Sequence, residues 1–108
     1  MTTDQQAASI LERLSAFDTA TIYEAAGKDG LLPVEIKPTW HGARVCGRAF
    51  TVACPAGDNL TIHRAVSLAS PGDVLVVDAQ GFIGGLWGEV LTVAAQSRGI
   101  AGLVIDGG

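Results

Sequence analysis

Val74-Leu75-Val76-Val77-Asp78, followed after two residues by Gly81-Phe82-Ile83-Gly84-Gly85-Leu86-Trp87-Gly88-Glu89-Val90-Leu91, is the stretch on which the reading of the fold turns. The first run is continuously apolar and rich in β-branched residues, the pattern of a strand covered on both faces. The second is a glycine-rich turn that runs into a helix. The helix is expected from Leu86 to Ser97, with Val90, Val93 and Ala94 facing inward, Arg98 in the last turn and Gly99 as the stop. Ile100 to Ile105 is then a second buried strand, closing on Asp106-Gly107-Gly108. Strand, loop, helix and strand in that order make a parallel βαβ crossover, right-handed by default, and place the chain in the α/β class.

The glycine loop is also where chemistry is expected. Glycines at 81, 84, 85 and 88 remove side chains that would hold a ligand off the backbone, and they permit φ > 0 where the turn needs it. If the helix starts near Leu86 to Gly88, its first N–H groups have no intrahelical partner and carry the positive end of the helix dipole. Such a terminus holds small anions. Glu89 stands beside it, although a carboxylate in a first helical turn is also favoured by the dipole alone. A structural turn and a ligand loop are both compatible with this spacing. Asp78 ends the preceding strand, and strand ends beside such turns are where open α/β sheets bind ligands. The loop after the last strand should lie next to the glycine loop.

Upstream of this unit, Gln5 to Phe17 carries apolar residues near a helical stripe, and Asp18-Thr19 caps a second short helix that Gly27 stops. Glu24 reads as a solvated residue on that helix. Gly30, Pro33 and Pro38 mark residues 28–40 as a connection, with His41 at the surface of the same loop. Arg44 to Cys54 reads as a strand in which Gly47 marks a bulge. Asp58 and Asn59 are N-cap types before a helix running from Leu60 to Ala69. His63 lies one turn beyond Asn59 on the same helical face. Both a cap and a partly buried, bonded histidine account for these two residues as well as a cleft does.

A chain of 108 residues suits one domain with one core. Its 48% hydrophobic and 17% charged content is that of a globular protein. A net charge of −4 with scattered Lys and Arg argues against a nucleic-acid surface. No run reaches the roughly eighteen apolar residues of a membrane span, and residues 1–6 lack the character of a signal peptide, so a cytoplasmic protein is expected. Cys46 and Cys54 are too far apart along one strand to bridge, and both are expected as buried free thiols. The chain has no internal repeat, low-complexity tract or charge run.

Four blocks taken together carry a resemblance: Gly57-Asp58-Asn59 through His63, Pro71 to Asp78, Gly85-Leu86-Trp87-Gly88-Glu89, and Arg98 to Gly107. In this order they resemble the family of the ribonuclease-activity regulator A. That family includes the class II 4-hydroxy-4-methyl-2-oxoglutarate and 4-carboxy-4-hydroxy-2-oxoadipate aldolases. The likeness extends over most of the chain from Leu14 onward. The family's signature is an acidic residue, a twenty-residue spacer and Arg-Asp; counted from Glu89, the pair falls immediately past Gly108.

The resemblance implies an α/β/β sandwich of the swivelling-domain type, here truncated after the βαβ unit, so that residues 1–108 form a single but incomplete domain. It implies a homotrimer or hexamer with sites between subunits. It further implies a lyase that cleaves 4-hydroxy-2-oxo acids to pyruvate and a second oxo acid, with oxaloacetate decarboxylase as a side activity and a divalent cation, Mg²⁺ or Mn²⁺, as cofactor. Gly88, Glu89, Val90 and Leu91 are then the substrate loop, with Glu89 the catalytic residue; Asn59 and His63 are candidate cleft residues. The metal ligand is expected beyond Gly108, leaving none within the chain, and the 108-residue piece alone is expected to be inactive. The family also implies an alternative, a non-catalytic regulator that binds a ribonuclease through an acidic surface. The partners expected are a small oxo acid and further copies of the chain, with neither nucleic acid nor membrane.

Overall fold

The computed structural model describes residues 2–108, which fall into two compact units, one ending at Val34 and the other spanning Glu35–Gly108. In the first unit α1 (Thr3–Leu14) and α2 (Thr19–Ala25) are both closed by local capping. α1 starts earlier than its apolar stripe suggests because Thr2 and Gln5 form a reciprocal capping box: Gln5 N–H donates to Thr2 Oγ1 at 3.1 Å and Thr2 N–H to Gln5 Oε1 at 2.8 Å. It ends at Leu14, and turns carry the chain through Phe17. α2 is capped by Asp18, whose carboxylate accepts Thr21 N–H at 2.8 Å, and Gly27 at φ 78° stops it. Glu24 is exposed, as is His41 in the connection beyond.

The second unit is a three-stranded parallel sheet in the order β1 (Ala49–Ala53), β2 (Val74–Asp78), β3 (Gly102–Ile105). α3 (Leu60–Leu68) connects β1 to β2, and α4 (Glu89–Ser97) connects β2 to β3. The expected βαβ unit is therefore present, and a second one precedes it. Register explains where the core sits. Phe50, Leu75 and Leu103 are aligned across the sheet, as are Val52, Val77 and Ile105. With side chains alternating between faces, these six share one face, and they pack with Ile62, Ala65, Val66, Leu91 and Ala95 from the two helices. Leu75 and Ile62 are fully buried.

Several expectations are corrected here. α4 starts at Glu89, not Leu86, because Leu86 is drawn into the core and its backbone bonds elsewhere. Val90 and Val93 point outward, at 79% and 56% exposed, while Leu91 and Ala95, one turn apart on a neighbouring face, are the buried pair. β1 is shorter than residues 44–54, and Gly47 lies before it, not at a bulge. A Cβ at Gly47 would run into the Gly72 carbonyl and come within 2.8 Å of Val74 Cγ2, so the glycine there serves close backbone approach. Cys54 is buried but Cys46 is exposed, and neither forms a disulfide.

Candidate functional site

At the C-terminal ends of the strands the chain makes two short loops that lie together. β2 closes on a turn in which Gln80 adopts φ 58°, its N–H donating to Asp78 Oδ1 at 3.0 Å, and Ala79 N–H donates to Asp106 Oδ1 from the end of β3. The Asp-Gly-Gly segment then runs beneath the glycine loop, as expected. Gly108 N–H donates to Phe82 O at 2.8 Å and Leu86 N–H to Gly108 O at 3.2 Å. A side chain at Gly108 would collide with the Ile83 carbonyl, so glycine permits this packing.

The second half of the loop faces an open cleft of about 280 Å³, lined by Asn59, His63 and the run Gly85–Leu91. That volume lies near the lower edge of small-ligand sites. Of the residues singled out in the sequence, Gly88, Glu89, Val90 and Leu91 come to it from the start of α4 and Asn59 and His63 from the start of α3, whereas Asp78, Gly81 and Gly84 are not part of its lining. Added Cβ atoms at Gly85 and Gly88 would meet nothing within 4 Å, so the backbone there is open to a ligand. Gly88 is extended, at φ −147° and ψ −165°, and turns the chain into the helix.

Helical bonding begins with Thr92 N–H donating to Gly88 O at 3.0 Å. The amides of Glu89, Val90 and Leu91 precede that first bond, and among the described residues they are the unpartnered donors of the helix start. They supply a concentrated positive potential at the cleft. His63 and Glu89 are the ionisable side chains of the lining, both exposed, and the lining contains no lysine or arginine. A small anion in the cleft would thus be held mainly by backbone donors, with the Glu89 carboxylate alongside to accept a proton or a hydrogen bond.

Two features of the site lie outside the sequence reading. Asn59 is at the N-cap position but makes no capping bond with its side chain; its Nδ2 donates instead to Leu86 O at 2.9 Å. Asp58 takes over the local task, its Oδ1 accepting Leu60 N–H at 3.0 Å. Trp87 Nε1–H donates to Thr92 Oγ1 at 2.8 Å, and that hydroxyl donates to Gly88 O at 3.0 Å, tying the loop to the first turn of α4. The Trp87–Thr92 spacing is a local clue to the second; no local pattern announces the first. His63 is exposed on the cleft instead of buried against a neighbour.

Comparison with known proteins gives the chain a family. Residues 19–108 match the RraA-like family, described as Aldolase/RraA. A protein of Halalkalibacterium halodurans named "Putative 4-hydroxy-4-methyl-2-oxoglutarate aldolase" is 44% identical over 82 residues, which is 73% of this chain and 39% of that protein. The crystal structure of an uncharacterized protein from Pseudomonas syringae pv. tomato superposes with a TM-score of 0.79 at 33% identity, covering 94% of this chain and 48% of the other. The chain thus spans about two fifths of the curated relative and about half of the solved one.

Proposed function

The chain belongs to the RraA-like family, and from that footing we propose that it carries the substrate loop of a class II aldolase cleaving 4-hydroxy-2-oxo di- and tricarboxylic acids to pyruvate and a second oxo acid. The observation that carries the proposal is the row of free amides at Glu89, Val90 and Leu91, opening on a cleft whose lining also includes the Glu89 carboxylate. In this reading the amides bind the carboxylate next to the 2-oxo group and orient the substrate. Glu89, through a water it positions, accepts the proton of the 4-hydroxyl. The C3–C4 bond breaks, its electron pair passes into the pyruvate enolate, the 4-carbon becomes a carbonyl, and a proton returned to C3 completes pyruvate. With no lysine in the lining, nothing in the cleft would form a Schiff base.

A Mg²⁺ or Mn²⁺ requirement and an oxaloacetate decarboxylase side activity, which would proceed through the same enolate, are parts of this proposal, as is assembly into a homotrimer or hexamer. Among the described residues no group of three or more His, Cys, Asp or Glu side chains could hold a metal ion. No helix among them is long and apolar enough to cross a membrane. The deciding experiment measures pyruvate release from 4-carboxy-4-hydroxy-2-oxoadipate by the full-length protein, with Mg²⁺ and after chelation. Metal-dependent release supports the proposal; none in either condition rejects it. Salt-sensitive co-purification of a ribonuclease without pyruvate release would favour the regulatory alternative, which the net charge of −4 suits.

A further inference from the structure

We propose that Asn59 is a positioning residue for the substrate loop, acting through the Leu86 carbonyl; the proposal rests on the reading of that loop as the carboxylate site. Leu86 is held at every point. Its side chain is 3% exposed, its N–H donates to Gly108 O at 3.2 Å, and its C=O accepts Asn59 Nδ2 at 2.9 Å. Only Trp87 and Gly88 separate this anchor from the first helical amide. Gly88 is followed at once by the free donors, and its own C=O is fixed by Thr92 N–H and Thr92 Oγ1. The direction in which those donors point is therefore set from two sides, one of them Asn59.

The side chain is unusual for its place. N-cap residues ordinarily accept from the helix they begin, and Asp, Ser and Asn do this about equally well. Here Asp58 accepts from Leu60 N–H, the Asn59 carbonyl accepts Ile62 N–H and His63 N–H, both at 3.1 Å, and the Asn59 side chain reaches 27 positions along the chain. Its partner is a carbonyl oxygen, so the side chain has to donate. A carboxylate of the same shape would repel that oxygen. The choice of Asn over Asp thus follows from the loop and not from the helix.

The contribution is preorganisation: without the bond, rotation about permissive Gly88 spreads the amides over several directions before substrate binds. Loss of one such hydrogen bond is expected to weaken pyruvate binding about three- to tenfold. The test uses the full-length protein carrying Asn59→Ala, Asn59→Asp or, as a control on the same helix start, Asp58→Ala. Pyruvate affinity is read by calorimetry and backbone hydrogen exchange over residues 82–91 by mass spectrometry. Both Asn59 variants should bind pyruvate more weakly and exchange faster in that segment. Asp58→Ala should lower the melting temperature while leaving both readouts at wild-type values. Wild-type affinity and exchange in Asn59→Ala would overturn the proposal, as would equal changes in Asp58→Ala. If the wild-type protein binds no pyruvate, the functional reading fails on its own, and the exchange of Asn59→Ala still decides whether the loop is held by this contact.

Discussion

Gly88→Ala separates folding from binding at this site. Gly88 is extended, a conformation open to any residue, and an added Cβ has nothing within 4 Å, so the substitution creates no clash. Two small effects on stability remain, of opposite sign. Ala is a poorer N-cap than Gly by several tenths of a kcal/mol, whereas restricting the unfolded chain contributes about 0.4–1 kcal/mol in its favour. Net stability should change by less than about 0.5 kcal/mol. On the proposed placement of the substrate carboxylate, the same methyl group would stand in the anion's approach to the amides of Glu89, Val90 and Leu91. Charge-assisted hydrogen bonds contribute about 1.5–3 kcal/mol each, so displacing the ligand enough to lose one weakens binding roughly tenfold to a hundredfold. Thermal unfolding and calorimetric titration with pyruvate, both on the full-length protein, measure the two quantities on one sample. Unchanged affinity in a stably folded Gly88→Ala variant would refute the placement of the carboxylate at these amides.

Glu89→Gln should lower the turnover of 4-carboxy-4-hydroxy-2-oxoadipate by at least about tenfold, the low end of general-base effects, while pyruvate still binds; steady-state kinetics with an unchanged kcat would remove Glu89 from the proton transfer. Leu75→Ala, at a fully buried position between Phe50 and Leu103, should destabilise by about 3–5 kcal/mol in urea unfolding. A loss under about 1 kcal/mol would mean that this row is not the core. Gln80→Gly, which relieves a left-handed conformation at φ 58°, should raise stability by about 1 kcal/mol in the same assay, and a decrease would show that the Gln80 side chain contributes more than the backbone strain costs.

Where chemistry along the chain is local, the sequence was a sufficient guide. The Val74–Asp78 run became β2 because only a central parallel strand buries so many branched residues in succession. Asp18 and Gly27 bounded α2 where their cap and stop preferences place them. Gly85, Gly88 and Glu89 stood out because a glycine-rich strand-to-helix turn with an acid beside it is legible in the sequence, but that spacing fits a structural turn as well as a ligand loop, and the helix starts at Glu89 and not at Leu86. The family resemblance joined these blocks into one family, and the proposed oxo-acid substrate rests on it, because no spacing specifies a substrate.

What tertiary structure alone decided are the contacts between residues distant in sequence. Leu86 lies outside the helix because the core and Gly108 both claim it, and packing against the sheet and α3 sets Leu91 and Ala95, not Val90 and Val93, as the inner face of α4. Asn59 looks like any cap until Leu86 is brought to it from 27 positions away. Local pattern records what a residue can do with its neighbours in sequence. Which of those options is taken depends on the partner the fold delivers, because a side chain that can both cap and reach will satisfy the polar group that would otherwise go unbonded.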